Sequence, residues 1–197
     1  VGAEGEHISS EGFTFTLDSL SNATITGYKG VGENVTVPAT IKDETGAYKV
    51  RTIASLAFEN NNLVRTIIVE EGVENVGQAF DGCSNLVSVN LPSSVVYVAD
   101  EAFNNSCILE SINVADDNRQ YFSRNGVLFS NHDNEFYLQT YPAGKKDAEY
   151  IIDKDIYGIK SGAFIYTTQL QKVTIDENIS SILMTAFCSP KIPLTIH

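Results

Sequence analysis

The stretch VGQAFDGCSNLVSVNLP (residues 76–92) is followed by a close copy of itself, VADEAFNNSCILESINV (98–114), in which Phe103 stands where Phe80 stood. The same Ala-Phe pair ends at Phe58, Phe80, Phe103, Phe164 and Phe187, with spacings of 22, 23, 61 and 23 residues. Self-similarity with a period of about 20 to 50 residues is typical of solenoids, in which each repeat stacks on the next. The repeat therefore predicts stacked coils whose five phenylalanines form a buried ladder.

Two apolar signatures flank every Ala-Phe pair and support this register. Two apolar residues three positions apart come before it: Val50/Ile53, Val73/Val76, Val95/Val98, Ile156/Ile159 and Ile179/Ile182. Two apolar residues two positions apart come after it: Ile67/Val69, Val89/Leu91, Ile112/Val114, Val173/Ile175 and, two residues early, Leu194/Ile196. A period of two predicts a β-strand with these side chains on one face.

The 61-residue interval leaves room for one further coil and an insertion. Tyr150 and Ile152 hold strand positions there, and GVLFSNHDNEFYLQTYP (126–142) predicts a β-hairpin around the turn at 131–134 that lies outside the coil path. Near the start, VTVPATI (35–41) repeats the pattern of VNLPSSV, which gives seven core strands in all.

The first residues differ in pattern from the repeats. FTFTL (13–17) and ATITGY (23–28) predict a terminal hairpin that shields the first coil. We therefore divide the chain into an N-terminal tail and hairpin cap (1–30) and a solenoid (31–197), with the inserted hairpin at about 121–145, all in one structural unit.

The order V-x-x-V-x-x-A-F, C-x-x-L and x-x-V-x-L-P, complete in VENVGQAFDGCSNLVSVNLP (73–92), resembles the BspA-type leucine-rich repeat from Phe13 to Ile196. The resemblance implies a right-handed leucine-rich-repeat solenoid of the α/β-horseshoe class, mostly β, with one parallel sheet and short helical or 3-10 turns after each Ala-Phe pair. It also implies a secreted or cell-surface bacterial protein, related to adhesins and protein-binding modules, with no shared catalytic residues. AFNNSCIL departs from the pattern by shifting its Cys, and AFCSPKIPLTI by dropping two residues.

The composition argues against several partners. Of the 197 residues 43% are hydrophobic, which suits a globular array, and the net charge of −12 disfavours binding to nucleic acid or anionic membranes. The sequence contains no run of 18 apolar residues, so it does not predict direct insertion into a membrane. Val1 begins without a signal peptide, which is equally expected of a trimmed exported chain.

No catalytic, metal-binding or cofactor-binding pattern emerges, and we expect no enzyme activity and no cofactor. The three cysteines, Cys83, Cys107 and Cys188, occupy repeat positions and are predicted to be buried free thiols, with a disulfide between Cys83 and Cys107 left open. His7, His132 and His197 are predicted to be solvated loop residues. The acidic run ADDN (115–118) is interpreted as a turn rather than a calcium loop, since the pivotal glycine is missing.

The alternation of the core strands places a second set of side chains on the opposite, concave side. These candidate partner-binding residues are Thr66, Ile68, Ser88, Asn90, Ser111, Asn113, Lys172 and Thr174, with Glu149 and Ile151 beside them. Such a small, polar surface suits a protein ligand bound by shape and hydrogen bonds, or it forms rows of hydroxyls and amides that satisfy one another.

A second candidate site is the set of aromatic residues that brackets the insertion, Tyr121, Tyr137 and Tyr141 with Phe122 and Phe136. They form either a binding platform or packing between hairpin and solenoid. The sequence thus favours a non-catalytic protein-binding module of a secreted or surface protein, with a host extracellular matrix or surface protein as a possible ligand. A structural spacer and a carbohydrate-binding module are the alternatives. The partner, the oligomeric state and the mode of anchoring stay open.

Overall fold

The structure, a computed structural model, describes residues 5–183, 185–187 and 193–196. Within these residues the chain forms 19 β-strands and no helix, wound into a β-solenoid of about seven turns. The predicted repeat solenoid is confirmed, whereas the predicted helical or 3-10 turns are not. After Phe103, for example, the backbone N–H groups of Asn104, Ser106 and Leu109 donate to carbonyls three residues earlier and close separate turns. The handedness and the horseshoe curvature remain predictions.

Seven strands with the period-two signature form one side of the solenoid, which we call the front face. In β9, Val89 and Leu91 are buried while Asn90 is exposed, as the alternation predicts. The strands of the front face are β4 (Asn34–Val37), β7 (Thr66–Val69), β9 (Ser88–Leu91), β11 (Ser111–Val114), β15 (Glu149–Ile151), β17 (Lys172–Ile175) and β19 (Leu194–Ile196).

The front face consists of two parallel sheets, which corrects the prediction of a single one. Strands β4, β7, β9 and β11 form the first, and β15, β17 and β19 form the second. At the free edge of β11, the N–H of Ile112 donates to the Gly126 carbonyl (2.8 Å) and the N–H of Val114 to Ser123 Oγ (3.0 Å). Since the insertion occupies this edge, β15 does not pair with β11.

The apolar pairs three residues apart lie on the opposite side, the back face, and form short parallel strands there. Strands that contain at least one residue of a pair are β6 (Gly46–Ile53), β8 (Asn75–Val76), β10 (Tyr97–Val98), β16 (Ile156–Ile159) and β18 (Ser181–Ile182), and the insertion adds β14 (Glu135–Thr140) to the same face. Pairing is continuous from β6 to β10 and again from β14 to β18. Both residues of a pair such as Val73 and Val76 are fully buried, so front and back faces enclose an apolar interior, and this interior is divided into two clusters within the insertion.

The Ala-Phe phenylalanines stack as predicted, but in two separate columns. Ring centroids are 5.5 Å apart between Phe58 and Phe80 and between Phe80 and Phe103. The second column runs from Phe164 to Phe187 at 4.8 Å and begins at Tyr141, whose ring lies 5.3 Å from that of Phe164. Tyr141 therefore occupies the phenylalanine position of the interrupted coil, and its N–H donates to the Ala163 carbonyl (2.8 Å) as that of Phe80 does to Ala102 (3.0 Å).

The N-terminal hairpin is present as predicted, between β2 (Phe13–Leu17) and β3 (Asn22–Tyr28). Its strand β3 pairs in parallel with β6 and so continues the back face, while β1 (His7–Ile8) adds to β2. A second hairpin that the repeat pattern did not predict joins β5 (Thr40–Asp43) to β6. Together these strands close over the first coil.

The insertion is larger and better integrated than the predicted hairpin. Strands β12 (Tyr121–Arg124), β13 (Val127–His132) and β14 form an antiparallel meander, and positive φ angles at Asp133 (51°) and Asn134 (71°) make the tight turn between β13 and β14. Strand β14 then pairs in parallel with β16. The prediction that this hairpin lies outside the coil path is therefore wrong, because its second strand completes a coil.

Candidate functional site

The outward side chains of the first front sheet form two rows, because its four strands are in register. One row contains Asn34, Thr66, Ser88 and Ser111, and the other contains Thr36, Ile68, Asn90 and Asn113. Neighbouring strands of a sheet lie about 4.8 Å apart, which sets the spacing within each row. The structure thus brings six of the predicted partner-binding residues together, on what we call the polar front surface.

Several groups on the polar front surface bond to one another. Thr66 Oγ1 donates to Asn34 Oδ1 (2.6 Å), and Asn113 Nδ2 donates to Asn90 Oδ1 (3.0 Å). These contacts match the interpretation that the rows satisfy one another. An asparagine side chain offers two donor hydrogens and two acceptor positions, however, so one such contact leaves capacity for hydrogen bonds to a ligand.

The remaining front-face candidates lie on the second sheet. Glu149 pairs with Lys172 and Ile151 with Thr174 in the register of β15 and β17, and the Ile151 side chain is 68% exposed. The insertion separates these residues from the polar front surface, so the predicted continuous face is divided into two parts.

The second candidate set is divided by burial. Tyr121 and Tyr141 are only 6% and 1% exposed, which leaves them unavailable to a partner, whereas Tyr137 is half-buried on the back face. Burial raises the pKa of Tyr121 and of Tyr141, so both hydroxyls stay neutral. The aromatic residues of the insertion therefore serve mainly as packing, with Tyr137 as the exception.

The hydroxyl of Tyr121 forms a hydrogen bond with the backbone at the edge of β10. The N–H of Val98 donates to Tyr121 Oη (2.8 Å), and the buried amide of Gln139 donates through Nε2 to the Val98 carbonyl (3.0 Å). Lys160 Nζ in turn donates to Gln139 Oε1 (3.2 Å) and to Asp100 (3.3 Å). Side chains thus replace the backbone partners that a further strand would supply, and we call this set the junction.

A back-face aromatic cluster, which we define as His132, Tyr137 and Tyr157, was not predicted. The Tyr137 ring centroid lies 5.5 Å from that of His132 and 5.4 Å from that of Tyr157, with interplanar angles of 74° and 61°. Tyr137 Oη donates to the Glu135 carboxylate (3.3 Å). A Cβ atom at position 158 would lie 2.9 Å from the Tyr137 ring, so Gly158 allows this close packing.

Two of the cysteines are described, and they differ. Cys83 is fully buried, its Sγ donates to the Phe58 carbonyl (3.1 Å), and burial raises the pKa of its thiol to about 12. Cys107 is exposed, which corrects the prediction of a buried thiol, and Ser106 holds the buried position instead with its hydroxyl on the Phe80 carbonyl (2.7 Å). Both cysteines are free, so they are not joined to each other. Cys188 lies outside the described residues.

His7 is not the solvated loop residue that was predicted. It lies in β1, stacks on Phe15 with centroids 5.0 Å apart, and contacts the Asp43 carboxylate through Nδ1. His132 is exposed, and His197 lies outside the described residues.

The acidic run at 115–118 contains a structural asparagine. Asn118 Nδ2 donates to the carbonyls of Pro92 and Val95, each at 2.9 Å, and Asn118 Oδ1 accepts from the N–H groups of Gln120 and Tyr121. Among the described residues, no group of three or more His, Cys, Asp and Glu side chains is arranged to hold a metal ion. Within residues 5–183, 185–187 and 193–196, no helix has the length and apolar character needed to cross a membrane.

Comparison with known proteins identifies the repeat. The family model described as BspA type leucine rich repeat region matches in six copies, over residues 7–134 and 143–194. The chain therefore belongs to this family. No curated protein sequence matches it.

Similar solved structures are bacterial leucine-rich-repeat proteins. The Treponema pallidum (T. pallidum) protein is 18% identical with a TM-score of 0.58, over 89% of this chain and 81% of that one. The Eubacterium ventriosum protein is 18% identical with a TM-score of 0.51, over 94% of this chain and 63% of that one. A leucine rich cell surface protein from Faecalibacterium prausnitzii is 16% identical with a TM-score of 0.49, over 99% of this chain and 76% of that one.

Proposed function

We propose that this member of the BspA-type leucine-rich-repeat family is a non-catalytic protein-binding module of a secreted or cell-surface bacterial protein. The observation that carries the proposal is the polar front surface, two rows of outward side chains held in register by four paired strands. A surface of this kind is preorganised, because the sheet fixes each side chain before a ligand arrives.

The chemistry of the polar front surface suits a protein ligand. Thr, Ser and Asn side chains offer both donors and acceptors, and Ile68, which is 47% exposed, adds an apolar contact among them. In the first front sheet the two rows carry no charged residue, in contrast to the net charge of −12 of the whole chain. Charge depletion at the centre of a contact surface is typical of protein interfaces. The ligand we propose is a host matrix or surface protein.

The test is capture by immobilised extracellular-matrix proteins of the wild-type chain and of a variant with Ser88, Asn90, Ser111 and Asn113 all changed to Lys. Four lysines in neighbouring rows introduce bulk and like charge, so we expect this variant to lose capture at least about tenfold. Its melting temperature should stay within a few degrees, because all four side chains point outward.

A matched control places the same charge elsewhere. Asn62, Ser84, Thr168 and Gln169 are exposed turn residues away from the front strands, and changing all four to Lys should leave capture unchanged. Equal loss in both variants would assign the effect to net charge. Unchanged capture by the front variant would exclude the polar front surface as the site.

A further inference from the structure

The back-face aromatic cluster presents edge-to-face rings at a partly exposed surface. His132 and Tyr157 stand at steep angles to the Tyr137 ring, at 74° and 61°, and His132 is exposed while both tyrosines are half-buried. Rings inclined in this way form a corner on the protein surface rather than a flat stack. Burial and the nearby Glu135 carboxylate raise the pKa of Tyr137, so its hydroxyl remains neutral beside that charge.

Two carboxylates adjoin the back-face aromatic cluster, Glu135 at Tyr137 and Asp133 beside His132, while Arg119 lines the same pocket as His132 and Asp133. Glu135 and Asp133 are both exposed, and within the described residues no Lys, Arg or His side chain forms an ion pair with either. The whole chain carries 25 acidic and 13 basic residues. Aromatic rings attract cations through their negative faces, and carboxylates that have no ion-pair partner add to that attraction. The site is therefore complementary to a cation.

The same chemistry already operates within the molecule, where the cation is an arginine. The Arg124 guanidinium lies over the rings of Phe122 and Phe129, at 5.0 and 5.7 Å from their centroids. It also donates to Asp153 (2.9 Å) and to Asp155 (2.7 Å). Rings on one side and carboxylates on the other thus hold a guanidinium in this fold.

We propose that the back-face aromatic cluster binds an arginine side chain of a protein partner, with Tyr137 and Tyr157 contacting the guanidinium and Glu135 pairing with its charge. The planar guanidinium stacks on rings and is weakly hydrated, whereas the lysine ammonium is compact and strongly hydrated. This site is separate from the polar front surface and depends on the proposed function only in taking a protein as its ligand.

The experiment titrates the full chain into two fluorescein-labelled nonapeptides of alternating glycine with arginine or with lysine, at physiological ionic strength. Wild-type protein should bind the arginine peptide several-fold more tightly than the lysine peptide. A Tyr137→Ala/Tyr157→Ala double variant should lose about tenfold in affinity for the arginine peptide while keeping every charge. A Tyr137→Phe/Tyr157→Phe double variant retains the rings and should retain binding.

A charge control separates this site from general attraction to an acidic protein. Glu33→Gln/Glu44→Gln removes two exposed charges at the N-terminal end of the array, several coils away from β14 and β16, and we expect less than about a twofold change in affinity. The proposal is overturned if the double alanine variant binds as wild type does, if arginine and lysine peptides bind alike, or if the control variant loses as much as the alanine variant. It is also overturned if the cluster binds maltohexaose and not the arginine peptide. Failure here leaves the front-surface capture experiment unaffected, so the two proposals can fail separately.

Discussion

Two regions of the solenoid contact their neighbouring coils through different groups. They are the regular coils between Phe58 and Phe103 and the interrupted coil between Ala99 and Lys145. In the regular coils, backbone pairs with backbone on both faces, and equal rings stack at equal distances of 5.5 Å. In the interrupted coil, the hydroxyl of Tyr121 and the amide of Gln139 bond to Val98 in place of a backbone, and the column of rings stops at Phe103 and resumes at Tyr141.

The difference shows where stability is shared and where it depends on single residues. In a repeat array each coil contacts only its neighbours, so similar contacts recur and no single one is unique. At the junction, the N–H and the carbonyl of Val98 depend on the side chains of Tyr121 and Gln139 for their hydrogen bonds. Loss of either side chain leaves a polar group unpaired in the interior, which costs free energy. A cavity of about 10 Å³ is lined by both Phe103 and Tyr141, and the Tyr141 hydroxyl is buried without a described partner. Packing is therefore less complete between the two ring columns.

The largest effect should come from the middle of the first ring column. Phe80→Ala should lower the free energy of unfolding by about 3–5 kcal/mol, because a fully buried ring leaves a cavity. Phe103→Ala should cost about 1 kcal/mol less, since Phe103 stacks on one ring of the column and Phe80 on two. Urea unfolding of both variants measures this difference. An equal or greater cost for Phe103 would show that packing at the end of the first ring column is as tight as in its middle.

The junction amide should rank second. Gln139→Ala removes the side-chain partner of the Val98 carbonyl and one of the two partners of Lys160, and we expect a loss of about 2–3 kcal/mol because these groups stay buried or partly buried. Asn113→Ala is the matched control, since it also deletes an amide hydrogen bond, but on the exposed polar front surface, and it should cost less than about 0.5 kcal/mol. If the two costs in urea unfolding are similar, the junction depends on its side chains no more than the surface does.

Removal of the hydroxyl from two buried tyrosines should change the stability of the fold in opposite directions. Tyr121→Phe leaves the Val98 N–H without its acceptor and should destabilise by about 1–2 kcal/mol. Tyr141→Phe removes a hydroxyl that has no described partner and should stabilise by up to about 1 kcal/mol, since burying an unsatisfied polar group is unfavourable. The shifts of the thermal unfolding midpoint test both. Destabilisation by Tyr141→Phe would mean that its hydroxyl forms a hydrogen bond in the folded protein.

The regular part of this fold could be predicted because every coil repeats the same pattern of apolar positions. A phenylalanine at one repeat position must face the same interior as its copies, and alternation in a strand such as VSVNL assigns inward and outward side chains. Tyr141 was within reach of the same argument, because it stands 23 residues before Phe164, the spacing of the repeat itself. A repeat pattern that accepts either phenylalanine or tyrosine at this position predicts Tyr141 in the ring column.

The remaining features depend on contacts between segments that share no pattern. The back-face aromatic cluster requires β14 to pair with β16, and the junction places Lys160 next to Asp100, 60 residues away in the chain. The apolar pairs three residues apart did not predict strands, because strands have a period of two, and only the stacked partner coil makes them pair. His7 was placed in a loop for the same reason, since its partner Asp43 lies 36 residues away.

The smallest expected effect concerns the cap, where a side chain again closes a gap between strands, here at the surface. Asp43 accepts a hydrogen bond from Thr45 Oγ1 (2.6 Å) and contacts His7, which joins β5 to β1. The Thr45 hydroxyl, followed by His7, lowers the pKa of the Asp43 carboxyl from 3.8 to about 2. A carboxyl with a depressed folded-state pKa stabilises the fold above its unfolded pKa, and this contribution is lost as pH falls from about 4 to about 2.

Asp43→Asn should therefore remove part of the acid sensitivity of the cap: between pH 4 and pH 2 its unfolding midpoint should fall less steeply than that of the wild-type chain. Thr45→Val gives a direct check, because loss of the hydroxyl should raise the Asp43 pKa toward 3.8 in a carboxyl NMR titration. The charge of Asp43 is retained in that variant, so an unchanged pKa would assign the depression to His7 instead. In that case the contact between β1 and β5, rather than the local turn at Thr45, would be the interaction that acid removes.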